Sequence, residues 1–391
     1  MPPLESIELF AGAGGLALGF SQHNVHHRAI VEWNRYACET IRLNKRHQVS
    51  PISSWPDVTE ADVRDYEYEN FAGLDLVTGG PPCQPFSMGG KHGGFLDVRD
   101  MFPQAIRAVD EVRPRAFVFE NVRGLTRAAF NNYFTYIKIR LEFPSIKAKP
   151  QEQWLDHLVR LQKHKIDGGA LEYRVATKLV NAANFGVPQK RMRIFIVGIR
   201  ADLSPSWHFP NETHSQEALV CAQWGTGEYW ERHKVAKKQR PPRPDGVDKK
   251  LIQLADVSPL EIGLPWETVR DAIADLEDPE KNPSVETFQA HRFQPGARSY
   301  AGHTGSPLDE PAKALKAGDH GVPGGENMLR RPDGSIRYFT VRESARIQTF
   351  PDSFLFQGTW TETMRQLGNA VPVKLAAVVA GSVCKALQSP S

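Results

Sequence analysis

A chain of 391 residues, 40% apolar and 24% charged, can bury a sizeable core and is long enough for two domains. No apolar run approaches the roughly 18 to 20 residues that span a bilayer, and no basic and apolar leader opens the chain, so we expect no membrane contact and a cytoplasmic location. The net charge of +3 neither requires nor excludes a nucleic acid, and four scattered cysteines without a Cys-x-x-Cys spacing argue against a structural zinc or a disulfide framework.

The chain opens with the order strand, glycine-rich loop and helix. Residues 7–10 are apolar enough for a strand, the sequence Ala-Gly-Ala-Gly-Gly follows at 11–15, and a helical pattern begins at Leu16. Glycines let the backbone approach a ligand at a helix N-terminus, where unpaired N–H groups favour a carboxylate or a phosphate. This order is typical of a nucleotide-binding sheet.

A second predicted strand, residues 28–32, ends in Glu32, twenty residues after Gly12. In nucleotide-binding sheets an acid at this spacing reaches the hydroxyl pair of a ribose. Trp33 follows directly, and its indole either stacks on an adenine ring or belongs to the core. A nicotinamide dehydrogenase would share these first elements, so the cofactor has to be inferred from chemistry further along the chain.

The most informative segment follows a short apolar run at 74–78. It reads Gly-Gly-Pro-Pro-Cys-Gln-Pro-Phe-Ser and covers residues 79–87. Its glycines allow a ligand close to the backbone and its prolines remove backbone freedom, so the thiol of Cys83 is held in place as a nucleophile requires. The alternative is a tight turn with an incidental buried cysteine.

Residues 116–122 predict another buried strand, which carries Glu120 near its carboxyl end. Apolar residues at helical spacing between 101 and 112 predict the crossover helix that joins parallel strands. Ligands bind at the carboxyl ends of strands in open α/β sheets, so we expect Glu120 beside Cys83. The front half is therefore predicted to be an α/β fold with a mostly parallel sheet and helices on both faces.

On these residues the chain resembles the DNA cytosine C5-methyltransferases, over its front half and its last fifty residues. The matching segments follow the family's order and are 10–15, Glu32-Trp33, Asp57-Val58, 80–84, 120–122, 189–193, 342–351 and 368–372. The chain departs from the family in two places. Glu8 occupies a place where many members have Asp, and residues 131–169 form a longer, partly apolar stretch, for which we expect an extra helix or hairpin packed on the sheet.

The resemblance implies a Rossmann-like S-adenosylmethionine-dependent methyltransferase fold with a smaller target-recognition domain inserted. Residues 1–205 and 360–391 would form the catalytic domain, and residues 206–359 the DNA-reading domain and hinge. The implied cofactor is S-adenosylmethionine as methyl donor, with S-adenosylhomocysteine as product and no metal. The residues implied to contact this cofactor are Phe10, Gly12, Gly14, Gly15, Leu16, Glu32, Trp33, Asp57, Val58, Pro82, Asn369, Ala370 and Val371.

The resemblance also implies four catalytic residues, Cys83, Glu120, Arg191 and Arg193. Carbon 5 of cytosine is a poor nucleophile in the intact ring, so a thiolate is added first, at carbon 6. Glu120 would stabilise the charge that develops beside N3, and the two arginines would supply positive charge that favours the thiolate. A ring held between a thiol and a methyl donor cannot stay stacked in a duplex, so the target base is flipped out.

From about residue 202 to 337 the content of proline, glycine, tryptophan and charge rises, which indicates a second domain. Six basic residues fall between 232 and 243 beside Trp224, Tyr229 and Trp230, a mixture suited to phosphates and base faces or, alternatively, to a solvated loop. Residues 291–293 and 313–327 are predicted loops able to approach DNA. One sequence does not fix which bases such loops read.

The implied partner is double-stranded DNA, and the compact layout implies a prokaryotic modification enzyme, acting as a monomer, that is paired with a restriction endonuclease. An orphan methylase would have the same sequence features. One alternative is an RNA cytosine methyltransferase, although its eukaryotic tRNA-modifying branch carries a Cys-Phe-Thr signature that this chain lacks. The others are a catalytically silent homologue and a nicotinamide dehydrogenase, in which the Cys83 loop has no role.

Overall fold

The computed structural model describes residues 2–82, 100–203, 207–254, 257–281, 288–300, 304–317 and 327–388. The predicted nucleophile Cys83 and residues 318–326 of a predicted DNA-approaching loop lie outside the described residues. The chain forms two compact units: the first comprises Met1–Val180, Met192–Pro210 and Ala376–Ser391, and the second comprises Asn181–Arg191 and Asn211–Leu375. The functional division predicted at residues 206 and 359 stays a prediction.

The secondary structure alternates between strands and helices in the first half and consists of short elements in the second. The strands are β1 (Leu4–Leu9), β2 (Val25–Glu32), β3 (Thr59–Glu60), β4 (Leu76–Gly79), β5 (Ala116–Val122), β6 (Tyr173–Asn181), β7 (Gln189–Lys190), β8 (Met192–Arg200), β9 (His214–Ser215), β10 (Leu264–Pro265), β11 (Ser306–Pro307), β12 (Ala312–Lys313), β13 (Met328–Arg330) and β14 (Ile336–Tyr338). The helices are α1 (Gly15–Ser21), α2 (Arg35–Arg46), α3 (Phe102–Val112), α4 (Asn131–Glu142), α5 (Trp154–Ile166), α6 (Gln216–Val220), α7 (Glu228–Arg232), α8 (Val247–Leu254), α9 (Pro259–Ile262), α10 (Val269–Ile273), α11 (Val341–Ile347), α12 (Trp360–Asn369) and α13 (Val373–Gln388).

Seven strands of the first unit form one sheet in the order β3-β2-β1-β4-β5-β8-β6. Strands β3, β2, β1, β4 and β5 run parallel, and β8 runs antiparallel to β5. The register places Leu9 opposite both Val31 and Gly79, and Gly79 opposite Phe119. Strands β2, β1, β4 and β5 therefore end at the same edge of the sheet. The predicted α/β fold with a mostly parallel sheet is confirmed.

The stretch at 131–169 forms two helices, α4 and α5. Tyr133 and Ile137 of α4 belong to the same buried cluster as Phe117 and Phe119 of β5. Helix α5 packs on α4 through a smaller cluster, whose buried members are Ile139, Phe143, Leu158 and Leu161. A helix packed on the sheet is thus observed as expected, and that it is an addition to the fold stays a prediction.

Helix α13 lies against α1, the helix that follows the glycine loop. A Cβ added at Gly19 would come within 2.4 Å of the Ala376 Cβ and 2.6 Å of the Ala377 backbone nitrogen. Only glycine permits two helix backbones to approach this closely. The apolar helix near the chain end therefore packs against the helix that follows the predicted cofactor loop.

The helical stretch Trp360–Gln388 is long and apolar enough, by length and composition alone, to cross a membrane. The prediction that no stretch approaches this length was wrong. Of its most apolar window, 67% is buried inside the protein, which is the usual situation of a core helix.

Helix α11 organises much of the second unit. Thr340 caps its N-terminus in a capping box with Glu343. Glu343 also forms a buried, bidentate ion pair with Arg337, with N–O distances of 2.6 and 2.7 Å. The buried guanidinium of Arg342 donates to three carbonyls from other segments, those of Gln289, Pro351 and Phe354. The signature at 342–351 is thus largely a packing element of this unit.

One interpretation of the second unit was wrong. Tyr229 and Trp230 are each 1% exposed and belong to its core, so they cannot stack on base faces. His291 is also buried, with Nδ1 at 2.9 Å from Thr340 Oγ1 and Nε2 at 2.7 Å from the Glu277 carbonyl oxygen. In both places the side chain's polar atoms find partners inside the unit, which composition alone does not reveal.

Glu8, at the position where the family often has Asp, lies inside the sheet. Its side chain is buried and accepts a hydrogen bond from Thr78 Oγ1 on the adjacent strand β4. Burial raises the pKa of Glu8 to about 8, and the hydrogen bond from Thr78 opposes part of this rise. The longer acid is therefore accommodated as a neutral carboxyl at pH 7.

We expect Glu8→Gln to remove a pH dependence of stability. A pKa of about 8 in the folded chain, against 4.5 as the ordinary value, means that the folded state binds this proton more tightly. The free energy of unfolding therefore falls as pH rises from about 4.5 to 8, by up to roughly 1.4 kcal/mol per pH unit from this group. Urea unfolding midpoints at several pH values measure the slope, which should be flatter in the variant.

Thr78→Val serves as the companion variant for this prediction. It keeps the shape of the side chain but removes the hydrogen bond that lowers the pKa of Glu8. The stability loss should then extend to higher pH. An unchanged pH slope in Glu8→Gln would show that Glu8 does not titrate in this window.

Candidate active site

The site forms where four parallel strands end. Glu32 closes β2, Phe10 follows β1, Gly79 closes β4 and Glu120 lies near the end of β5. Their common edge results from the strand register. One row across the sheet contains Val31, Leu9, Gly79 and Phe119, each paired with the next. The sheet order also changes direction at β1, which is where ligands bind in such sheets.

The loop after β1 has the backbone of a ligand-binding turn. Phe10 has a φ of +55° and Gly12 a φ of +56°, and a Cβ added at Gly12 would have no neighbour within 4 Å. Gly14 has a φ of +87°, and a Cβ there would come within 3.0 Å of the Trp55 ring. The loop is therefore supported from behind by Trp55 and open at Gly12, so its residues fit a ligand held against the backbone.

Glu32 fixes this loop. Its carboxylate is buried and accepts three backbone hydrogen bonds, from Gly12 N at 2.7 Å, Trp33 N at 3.0 Å and Asn34 N at 2.7 Å. Burial raises the pKa of Glu32, and the three N–H donors oppose the rise. The carboxylate thus joins the end of β2 to the glycine loop, and its predicted contact with a ribose stays a prediction.

The predicted adenine contacts lie at the surface of the same unit. Trp33 is 70% exposed, so the alternative that it belongs to the core was wrong. The Asp57 side chain is 94% exposed and pairs with Lys45, whose Nζ lies 2.7 Å from Asp57 Oδ1 and 2.7 Å from the Trp55 carbonyl oxygen. This pairing lowers the pKa of Asp57. Val58, unlike Trp33 and Asp57, is buried.

Glu120 and Arg193 form an ion pair at the end of β5. Strand β8 is antiparallel to β5 and sets Arg193 opposite Val122, which brings Arg193 Nε to 2.6 Å from Glu120 Oε1. Burial lowers the pKa of the Arg193 guanidinium, and Glu120 opposes this effect. Glu120 Oε2 lies on the side of Gly80, where an added Cβ would come within 3.5 Å of it. The carboxyl therefore adjoins the segment that leads into Cys83.

The described start of the Cys83 loop is held by two further contacts. Asn121 Nδ2 donates to the Pro81 carbonyl oxygen at 2.8 Å, and Asn121 Oδ1 accepts from Val122 N. Met101 N, just before α3, donates to the Pro82 carbonyl oxygen at 3.2 Å. The sequence alone assigns no role to Asn121, although it lies within the signature at 120–122.

Arg191 lies in the second unit and is fully buried. Its guanidinium donates to three carbonyl oxygens, those of Leu315 at 2.9 Å, Gly368 at 2.6 Å and Ala370 at 3.0 Å. Arg191 thereby holds the end of α12 and the turn that follows it. These residues include the predicted cofactor contacts Asn369, Ala370 and Val371. In the structure Arg191 positions backbone, and its predicted effect on a thiol stays a prediction.

Two glutamines complete this buried network in the second unit. Gln189 Oε1 accepts from Leu315 N at 3.0 Å, and Gln189 Nε2 donates to Gln348 Oε1 at 3.1 Å. Gln348 Nε2 in turn donates to the carbonyl oxygens of Leu367 and Ala370. Gln189 lies in the matching segment 189–193 and Gln348 in the segment 342–351. No spacing rule predicts that segments so far apart in the chain share one hydrogen-bond network.

The other cysteines of the first unit are poor nucleophiles. Cys38 and Cys384 are buried, and burial raises the pKa of each thiol to about 12. Within the described part of the chain, no group of three His, Cys, Asp or Glu side chains could hold a metal ion.

Comparison with protein families gives a match to the model described as C-5 cytosine-specific DNA methylase. The match covers residues 4–144 and 156–385 and is interrupted between α4 and α5. The Type II methyltransferase M.NgoMIV of Neisseria gonorrhoeae is 31% identical over 384 residues, which cover 98% of both chains. The Type II methyltransferase M.PspPI of Psychrobacter sp. (strain TA137) is 31% identical over 98% of this chain and 79% of that protein.

Solved structures resemble the fold of this chain. The crystal structure of the S. pombe Dnmt2 methyltransferase gives a TM-score of 0.57 at 18% identity and covers 99% of this chain and 100% of its own. A putative DNA modification methyltransferase encoded within a prophage (E. coli) gives a TM-score of 0.54 at 20% identity, with coverage of 99% and 100%. At these identities the likeness concerns the fold.

We expect Glu32→Gln to weaken the binding of S-adenosylhomocysteine by about 10- to 100-fold, which corresponds to one charged hydrogen bond. All three backbone groups at the carboxylate are donors. The NH₂ group of glutamine is also a donor, so it would face a backbone N–H, and the hydrogen bond to Gly12 or to Asn34 would be lost. Isothermal titration calorimetry measures the affinity. Glu39→Gln, on the surface of α2, is the matched control and should keep wild-type affinity. Equal affinities in wild type and Glu32→Gln would contradict the proposed anchor.

We expect Arg191→Lys to lower the free energy of unfolding of the second unit by about 2 to 4 kcal/mol, because an ammonium cannot span three carbonyls and leaves buried acceptors unpaired. Tryptophan fluorescence during urea unfolding measures the loss: Trp230 and Trp266 lie in the core of this unit, and Trp33, Trp55, Trp154 and Trp207 of the first unit also contribute to the signal. Arg174→Lys is the control, since Arg174 also donates to carbonyls but is exposed. A loss in Arg191→Lys no larger than in this control would mean that the network does not stabilise the unit.

Proposed function

Because this chain belongs to the C-5 cytosine-specific DNA methylase family, we propose that it methylates carbon 5 of a flipped-out cytosine in a specific double-stranded DNA sequence, with Cys83 as covalent nucleophile. The family makes it a DNA (cytosine-5) methyltransferase that uses S-adenosylmethionine as methyl donor. The observation that supports the finer proposal is the Glu120–Arg193 ion pair beside Gly80, at the start of the segment that leads into Cys83.

The proposed reaction begins when the Cys83 thiolate adds to carbon 6 of the cytosine. One S–C6 bond forms, the C5=C6 electron pair becomes a C4=C5 bond, and negative charge develops at N3. A thiolate suits this step because it is strongly nucleophilic and can leave again. The addition makes carbon 5 electron-rich, which the intact ring is not.

Glu120 and Arg193 act at the N3 side of the ring in this proposal. The charge developing at N3 requires a proton or a hydrogen-bond donor placed there in advance. Arg193 fixes Oε1 of Glu120, and Oε2 lies toward Gly80. We assign the Glu120 carboxyl to N3 and the exocyclic amine, and Arg193 to orienting that carboxyl and compensating negative charge.

The methyl donor supplies a methyl group bonded to a positively charged sulfur. Carbon 5 gains the methyl group as the methyl–sulfur bond breaks, and the electron pair of that bond stays on sulfur to give S-adenosylhomocysteine. Loss of the C5 proton to solvent then re-forms C5=C6 as the S–C6 bond breaks and Cys83 leaves as a thiolate. The steps balance without a change of oxidation state in the protein.

The chain's own residues would hold the donor along the edge of β1 and β2. Phe10, Gly12, Gly14, Gly15 and Leu16 supply the loop and the start of α1, which Glu32 anchors. The exposed indole of Trp33 would stack on the adenine, with Asp57 and Val58 at the adenine edge. Pro82, and the turn with Asn369, Ala370 and Val371 that Arg191 holds, are the remaining proposed contacts.

The remaining proposals concern the partner and the setting. The target base would be flipped from the duplex, because its ring has to meet Cys83 on one side and the methyl donor on another. Residues 206–359 would read the DNA sequence. We propose a cytoplasmic monomer that modifies DNA beside a cognate restriction endonuclease, on the ground that similar proteins are named Type II methyltransferases.

We expect the wild type to transfer labelled methyl groups from S-adenosylmethionine to double-stranded genomic DNA, and Cys83→Ser to lose this transfer by at least about 1,000-fold because serine lacks a thiolate. Bisulfite sequencing should place the product in one short motif. Cys221→Ser removes another thiol that is not fully buried and is the matched control, with wild-type activity expected.

The outcomes separate the alternatives. Retained transfer in Cys83→Ser would refute the covalent mechanism while leaving the enzyme class intact. Transfer to RNA but not to DNA would favour an RNA cytosine methyltransferase. A folded wild type that binds S-adenosylhomocysteine and methylates neither nucleic acid would identify a catalytically silent homologue.

A further inference from the structure

The six basic residues between 232 and 243 divide into two groups in the structure. The arginines have internal partners: Arg232 pairs with Asp271 at 2.7 Å, and Arg243 pairs with Asp248 at 2.7 Å. Arg240 lies over the Trp230 ring at 5.7 Å and donates to the Val235 carbonyl oxygen. These three side chains therefore fasten the segment to its own unit.

The lysines of the same segment behave differently. Lys234, Lys237 and Lys238 are exposed. Across the described ranges of the chain, no carboxylate forms an ion pair with their ammonium groups. No Asp or Glu occurs between residues 232 and 243. Three positive charges without an ion-pair partner in the described ranges thus stand within five residues, which favours the binding of an anion there.

The loop that carries these lysines, residues 233–240, is fixed in place. Val235 is buried in the aromatic cluster of Tyr229, Trp230 and Trp266. Its backbone nitrogen donates to the Trp230 carbonyl oxygen at 2.9 Å, which closes the end of α7. Because the backbone is anchored on both sides of the lysines, binding an anion costs only side-chain ordering.

Lys234 adopts a backbone conformation that favours glycine. Its φ is +53°, in the position just after α7 where helices commonly end in glycine. A lysine there costs of order 1 kcal/mol relative to glycine. The side chain itself is exposed, so replacing it by glycine should relieve the backbone without removing a packing contact.

We propose that Lys234, Lys237 and Lys238 bind the phosphates of duplex DNA. The inference rests on the proposed function, which makes DNA the partner. The rings of Tyr229 and Trp230 are buried and cannot stack on bases, so we assign the lysines to the DNA backbone, where a contact carries no sequence information. The basic loop would strengthen binding to every duplex equally and make it depend on salt.

The test measures how DNA affinity depends on salt. A fluorescein-labelled duplex of mixed sequence is titrated by anisotropy, with S-adenosylhomocysteine present, between about 50 and 200 mM NaCl. Each lysine that neutralises a phosphate contributes about 0.9 to the slope of log K against log salt. We expect the double variant Lys237→Gln/Lys238→Gln to lower this slope by about 1.8, so that its affinity falls about tenfold less than that of the wild type over this range.

Lys234→Gly separates charge from folding. Glycine relieves the positive φ, so the thermal midpoint should not fall, while the slope should decrease by about 0.9. The matched control is Lys149→Gln/Lys163→Gln, which removes two exposed lysines of the first unit and should leave the slope unchanged.

Unchanged slopes in the loop variants, or an equal change in the control pair, would overturn the inference. A slope change seen with single-stranded RNA but not with the duplex would overturn it as well. Genomic DNA methylation by the same wild-type preparation tests the proposed function separately from the role of the basic loop. Without that methylation the proposed function fails, whereas methylation together with unchanged slopes refutes only the role of the basic loop.

Discussion

Four neighbouring parallel strands, β2, β1, β4 and β5, end in register at one edge of the sheet, and the described part of the site follows from that alignment. Each strand end delivers one component: Glu32, the glycine loop, the Gly79–Pro82 segment and Glu120. A shift by one residue would turn each of these side chains to the other face of the sheet. The register is specified because these strands are largely buried, so that a shift would bring the wrong side chains into the core.

The antiparallel direction of strand β8 brings Arg193 to Glu120, which a parallel strand in its place could not do. It starts at the edge where β5 ends, so Arg193, near its beginning, meets Glu120, near the end of β5. A parallel strand would have presented its carboxyl end there and carried Arg193 to the opposite edge. The carboxyl and its counter-charge are thus brought together by strand direction and not by nearness in sequence.

The charged and amide side chains described above form hydrogen bonds chiefly with backbone groups. Glu32 binds three N–H groups, Asn121 binds the Pro81 carbonyl, and Arg191 binds three carbonyls. Loops rich in glycine and proline have few side chains that could form stabilising hydrogen bonds. Side chains of neighbouring elements therefore bind the peptide groups of these loops. Signatures of this family therefore include residues that need not touch substrate, and a catalytic role read from a signature alone can belong to a positioning residue.

The sequence by itself determined the alternation of strands and helices, because apolar periodicity and glycine or proline punctuation are local properties. β5 was predicted with its observed bounds, and α3 within one residue. It also determined the family, through motifs whose order is written along the chain. Only the tertiary structure decided that Tyr229, Trp230 and His291 are buried, that Trp33 is exposed, and that Arg191, Gln189 and Gln348 form one network. These outcomes depend on which distant segments meet, and the spacing of residues along one chain does not specify that.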